Sequence, residues 1–169
     1  MRKSESGILD AMRPIQRLAN LGLRIAGALA FLAPLATRLV VGFGFHSTGH
    51  GKLQDLAKVT GYFSDLGIPF PAANAAFVSW LEFIGGLCLI LGLGTRIFAF
   101  MLSCSMTVAL LTGDKADFIK DVPGDLMSVT SIPFLISLLW LVFYGPGPIS
   151  IDWFLSKWLG LNRKTGEST

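Results

Sequence analysis

Charge, cysteine and histidine are all scarce in this chain. Charged residues make up 15% of its 169 positions, hydrophobic residues 52%, and mean hydropathy is +0.61. Soluble domains carry about 25% charge, so a soluble enzyme domain is excluded and one compact polytopic membrane bundle is indicated. The two cysteines, Cys88 and Cys104, form no Cys-x-x-Cys. A thiol–disulfide relay of the vitamin K epoxide reductase kind therefore lacks its parts. Counted by helical rise, the two thiols differ in depth by about 6 Å, which speaks against a disulfide and for packing thiols. Phosphate-binding loops, nucleophile elbows and zinc-protease motifs are missing too.

Long apolar runs are what the chain does have. A transmembrane helix needs roughly 20 mainly apolar residues, and four windows qualify: Ile25 to about Ser47, Ala72 to Gly94, the shorter Ile97 to Gly113, and Leu126 to about Tyr144. Pro34 and Pro133 are expected to bend the first and last. The predicted fold class is therefore all-α, a four-helix transmembrane bundle over residues 25–147, with residues 1–24 as an interfacial arm and 148–169 as an interfacial helix and polar tail. Ile8, Met12, Ile15 and Ala19, with Arg13 and Arg17 beside them, have the spacing of a helix lying on the membrane surface. Trp153, Phe154 and Trp158 around Lys157 predict a second one.

Orientation follows from lysine and arginine in the flanks and short loops. Arg2, Lys3, Arg13, Arg17, Arg24, Arg96, Lys157, Arg163 and Lys164 fall on one side, and Lys52, Lys58, Lys115 and Lys120 on the other. Both termini are expected in the cytoplasm. The net charge of +3 is then accounted for by anionic headgroups, and no nucleic-acid partner is expected.

Two charges interrupt the first two spans, Arg38 and Glu82. An intramembrane charge costs at least ~2.5 kcal/mol and normally faces protein with a partner. With His46 taken as the outer mouth, Arg38 lies roughly 12 Å down and Glu82 roughly 15 Å down. The expectation is a buried Arg38–Glu82 charge clamp between adjacent antiparallel helices.

The outer mouth holds the remaining polar candidates. His46 and His50 are four residues apart, which suits one helical face, but Gly49 is expected to break the helix between them. No further ligand is placed to complete a metal site, and none is expected. His46, Ser47, His50, Lys52 and Glu82 are instead candidates for a polar pocket where a quinone carbonyl accepts hydrogen bonds and a carboxylate or histidine exchanges protons. Leu53, Leu56, Ala57, Thr60 and Phe63 predict a short amphipathic helix across this mouth, ending near Gly67, with Gln54 to Leu66 as a lid. Asp114, Asp117, Asp121 and Asp125 do not follow the EF-hand spacing and read as a solvated acidic loop.

An ordered set of motifs now makes a pattern. Arg38 within helix one, Gly49 before Lys52-Leu53, Gly67-Ile68-Pro69, Glu82 followed by Gly85-Gly86, Gly92-Leu93-Gly94-Thr95-Arg96, and Gly145-Pro146-Gly147 leading to Ser150-Ile151-Asp152 resemble the DoxX family of small four-helix bacterial membrane proteins. The resemblance covers roughly residues 30 to 155. It implies a bacterial inner-membrane location and a role as accessory or anchoring subunit of a larger membrane complex concerned with electron transfer, not catalytic alone. No covalently bound cofactor is expected, and a quinone is the ligand class implied. The alternatives are a quinone-coupled sulfur oxidoreductase subunit of the thiosulfate type and a small-solute or lipid transporter, which lacks an internal repeat or discontinuous-helix signal.

Overall fold

The structure, a computed structural model, describes residues 20, 22–24, 27–114, 119 and 129–159, and among these six α-helices follow one another. They are α1 (Leu32–Gln54), α2 (Leu56–Asp65), α3 (Pro71–Leu91), α4 (Thr95–Thr112), α5 (Ser131–Tyr144) and α6 (Ile151–Trp158). No strand occurs among the described residues. The chain divides after Ala33 into two units, and the bundle belongs to the second, residues 34–169. The arm around Ile8 to Ala19, most of the aspartate-rich loop and the tail beyond Leu159 lie outside the described residues.

Among the described residues, three helices are long and apolar enough to cross a membrane: the one ending at Gln54, Pro71–Leu91 and Thr95–Thr112. The fourth apolar helix, Ser131–Tyr144, has 14 residues. The polytopic all-α membrane fold read from the sequence is therefore the fold observed. Serine and threonine are accommodated in the apolar helices by bonding backwards along the chain. Ser79 donates to Ala75 O at 2.6 Å, Thr107 to Ser103 O at 2.9 Å, Thr112 to Val108 O at 2.7 Å and Ser137 to Pro133 O at 2.7 Å. Each hydroxyl is thereby satisfied without water.

α1 and α3 are antiparallel neighbours in backbone contact. A methyl group added at Gly86 would strike the His46 amide and come within 2.6 Å of Gly42 O, while one at Gly49 would strike the Phe83 backbone. Where lipid removes most of the hydrophobic drive between helices, this close approach supplies van der Waals contact instead. The adjacent Gly85 faces the other way, toward Leu102 of α4. One glycine pair thus seats α3 against two neighbours.

The core gathers Val41 and Phe45 from α1, Leu81 and Leu89 from α3, Ala99 and Leu102 from α4, and Leu138 and Leu141 from α5. Phe45 meets Phe134 edge-on, with centroids 5.3 Å apart, a favourable arrangement for two aromatic quadrupoles. Phe43, Phe77, Phe100 and Phe143 are exposed and form part of the outer surface. Leu138, by contrast, is buried among the core residues and Phe98 packs against them.

Turns are set by residues with positive φ. Gly67 (φ 71°) ends the α2 hairpin corner and Phe70 (φ 48°) precedes Pro71 at the start of α3. Asn74 ties this corner by donating to Pro69 O at 2.6 Å. Gly92 and Gly94 make the turn into α4, and Gly145 and Gly147 lead to α6.

Candidate functional site

α1 does not break at Gly49. It continues to Gln54, because Gly49 is buried against the Phe83 backbone and the close contact holds the glycine in the helix. That extension changes where the two buried charges sit. Contacts along the α1–α3 crossing run Lys52 with Glu82, Gly49 with Phe83, His46 with Gly86 and Gly42 with Ile90. Arg38 is a further turn along. It lies about 16 Å from the level of Gly49 by helical rise, out of reach of Glu82.

The expected Arg38–Glu82 clamp is thus corrected: both residues are buried, at 2% and 1% exposure, but with different partners. The depth count took His46 as the end of the helix, whereas two more turns follow it. The Arg38 guanidinium donates through Nε to Leu89 O at 3.1 Å and through Nη2 to Ile90 O at 3.5 Å. Its Nη1 donates to Pro146 O at 2.5 Å and Ile149 O at 2.9 Å. The first pair of acceptors lies at the carbonyl-rich C-terminal end of α3, where a cation is favoured by the helix dipole. Asp152 completes this end: Gly94 N donates to its Oδ1 at 2.7 Å and Thr95 N to its Oδ2 at 2.8 Å. Asp152 N in turn donates to Gly92 O at 3.0 Å. α6 is fastened to the α3–α4 turn, with Ser150 Oγ as its N-cap accepting from Trp153 N at 3.0 Å.

Glu82 is placed at the opposite end of the crossing. Lys52 Nζ donates to its Oε1 at 2.6 Å. The lysine side chain is 32% exposed. Glu82 Oε2 is buried and has no hydrogen-bond partner among the described residues. Both residues lie in the wall of a half-open cavity of about 1010 Å³ bordered by α1, α2, α3 and α4. Its surface is mainly apolar, with Phe63 from α2 and Leu66 just after it, Val78 and Leu81 from α3, and Met101 and Cys104 from α4. Ligand cavities commonly measure ~300–1,000 Å³ and pair apolar walls with a few convergent polar groups.

The five pocket candidates separate here. Lys52 and Glu82 line the cavity; His46, Ser47 and His50 do not. His46 stacks on Phe83 with centroids 4.5 Å apart, and its Nδ1 is 3.2 Å from Phe83 O. His50 tilts over the same ring at 6.0 Å, with its Nε2 3.1 Å from Gln54 Nε2. Ser47 is exposed. Among the described residues no group of three or more His, Cys, Asp or Glu is arranged to hold a metal ion. Both cysteines are free, Cys88 half-buried and Cys104 exposed.

α2 forms the roof, as its amphipathic spacing suggests. Asp55 caps it by accepting from Lys58 N at 3.0 Å. Its Val59, Tyr62 and Phe63, with Leu66 at its C-cap, face the cavity, yet no residue of α2 is fully buried. The α4 wall was not singled out from the sequence, although Met101, Cys104, Ser105, Val108 and Thr112 recur at helical spacing and show which face of α4 meets the cavity.

Comparison with known proteins gives a family and a distant relative. Residues 33–115 match the family model DoxX. A protein of Bacillus subtilis (strain 168) named "Putative oxidoreductase CatD" is 29% identical over 103 residues, covering 60% of this chain and 75% of the relative. No solved structure matches.

Proposed function

For a chain that belongs to the DoxX family, we propose the role of a membrane subunit that presents a quinone-type molecule to an electron-transfer partner in a larger assembly. The cavity and the ion pair in its wall between half-exposed Lys52 and buried Glu82 carry the reading. A quinone ring with an apolar tail matches a large apolar chamber that has one donor and one acceptor side by side. Lys52 is the donor for a ring carbonyl, and Glu82 the acceptor for a ring hydroxyl and the station for its proton. When bound, a quinone supplies two-electron, two-proton redox chemistry.

The printed name of the Bacillus subtilis relative, an oxidoreductase, supports an electron-transfer setting. The family points to a bacterial inner membrane, and the distribution of lysine and arginine supports both termini in the cytoplasm, with Lys52 and α2 then toward the outer side. Exposed aromatic side chains outside the cavity, such as Phe43 and Phe143, offer surface for lipid and for a partner's helices.

Binding of a short-chain benzoquinone to the purified chain in lipid nanodiscs tests the site. Saturable binding at one molecule per chain is expected, weakened at least tenfold in Lys52→Leu, with binding of the matching quinol weakened at least tenfold in Glu82→Leu. Simple partitioning, unchanged by either substitution, would remove the quinone reading. Mild-detergent purification from the native membrane should bring down a larger partner in fixed ratio, and recovery of the chain alone would remove the accessory role.

A further inference from the structure

We infer that the Lys52–Glu82 site takes the reduced, hydroxyl-bearing form of its ligand in preference to the oxidised, carbonyl-bearing form. The inference rests on the quinone-site reading and goes beyond it by naming the redox state that is held.

The argument turns on which hydrogen-bonding capacity is left over. A carboxylate only accepts, through two oxygens. Lys52 satisfies Oε1 of Glu82 at 2.6 Å, and Oε2 is buried with no partner among the described residues. Lys52 is in a different position, because its side chain is 32% exposed and the remaining ammonium hydrogens can be hydrated. A ring carbonyl arriving at Lys52 therefore exchanges one acceptor for another. A ring hydroxyl arriving at Glu82 supplies a donor to an oxygen that otherwise has none. A carbonyl at the same place would set lone pairs against the carboxylate.

Thr48, Thr112 and Asn74, which also line the wall, are already engaged. Thr48 Oγ1 donates to Gly44 O and Phe45 O, each at 3.1 Å, and Thr112 Oγ1 donates to Val108 O at 2.7 Å. Asn74 Nδ2 donates to Pro69 O at 2.6 Å. Among the described residues, Glu82 Oε2 and Thr95 Oγ1 are the buried side-chain atoms left without a partner, and Thr95 is not in this wall. An unmade hydrogen bond in a buried place is costlier than a made one is favourable. The unmet acceptor at Glu82 therefore decides which form of the ligand is favoured.

The test uses the full chain in lipid nanodiscs under anaerobic conditions, with a short-chain benzoquinol, its benzoquinone, and the dimethyl ether of the quinol as probes. The quinol should bind at least tenfold more tightly than the quinone, which raises the midpoint potential of the bound couple by about 30 mV. The dimethyl ether, which has no hydroxyl to donate, should bind no better than the quinone. Glu82→Gln, whose amide both donates and accepts, should bring the two forms to within about threefold of each other. Equal affinity of quinol and quinone for the native chain would overturn the inference while leaving the quinone site standing. Absence of saturable binding by any probe would overturn the site itself. A Glu82→Gln protein that retains the full preference would overturn the assignment to Glu82, and if that variant does not fold, the dimethyl ether reads the same requirement on the native chain.

Discussion

Each end of the α1–α3 crossing buries one ionic side chain, and the two are treated oppositely. Arg38 spreads its guanidinium over four carbonyl oxygens, from Leu89, Ile90, Pro146 and Ile149. Glu82 has one partner, Lys52, and an oxygen with none. The first arrangement leaves the cation nothing to seek and joins three parts of the chain. The second leaves a hydrogen-bonding need beside a cavity of about 1010 Å³. Two charges that look alike in the sequence are thus distinguished by how completely the fold answers them: one holds the bundle, and the other is available to a ligand.

Removing the saturated charge should have the larger effect. Arg38→Met takes the guanidinium from four carbonyl acceptors, of which Leu89 O keeps the Gly92 amide. At ~1–3 kcal/mol for an unsatisfied buried group, a loss of at least ~3 kcal/mol is expected, read as a fall in thermal unfolding temperature in detergent. A variant as stable as the parent would show that the carbonyl cluster is not what holds this end.

Asp152→Ala comes next. It takes the acceptor away from the Gly94 and Thr95 amides, and a loss of about 1–2 kcal/mol is expected by analogy with removing a helix N-cap. Protease accessibility around α6 should rise with it. Unchanged accessibility would mean that α6 is held by other contacts.

The smallest change in stability is expected at the other end. Glu82→Met replaces a buried carboxylate by an apolar side chain of similar volume and leaves Lys52 able to reach water, so stability should stay within about 1 kcal/mol. Ligand binding should nevertheless be lost. If Glu82→Met unfolds the chain as Arg38→Met does, the contrast between the two ends fails.

The spans were legible because apolar length is written directly in the residues. Ala72 to Gly94 corresponds to α3 at Pro71–Leu91, and Ile97 to Gly113 to α4 at Thr95–Thr112. The spacing of Leu53, Leu56 and Phe63 likewise announced α2, and the Trp153 to Trp158 pattern α6. The DoxX resemblance was legible from glycines and prolines at fixed points, and residues 33–115 match that family. Arg38's partners were not legible, because they are main-chain carbonyls, which every residue carries and no side chain reveals. The helical state of Gly49 was hidden for a related reason. Its propensity argues for a break, and only the neighbouring Phe83 backbone overrides it. The partner of Glu82 followed from that same extension, since Lys52 reaches it only if α1 runs past Gly49.

The carbonyls of Pro146 and Ile149 lie 108 and 111 positions after the arginine they receive. Synthesis proceeds at about 5–20 residues per second, so on the order of 5 to 20 seconds separate the emergence of that guanidinium from the arrival of its last acceptors. Through this interval the first span carries a cation whose final coordination has not yet been translated. The bundle can therefore seal at this end only after nearly all of its helices have been made, which makes biogenesis as dependent on the last loop as on the first helix.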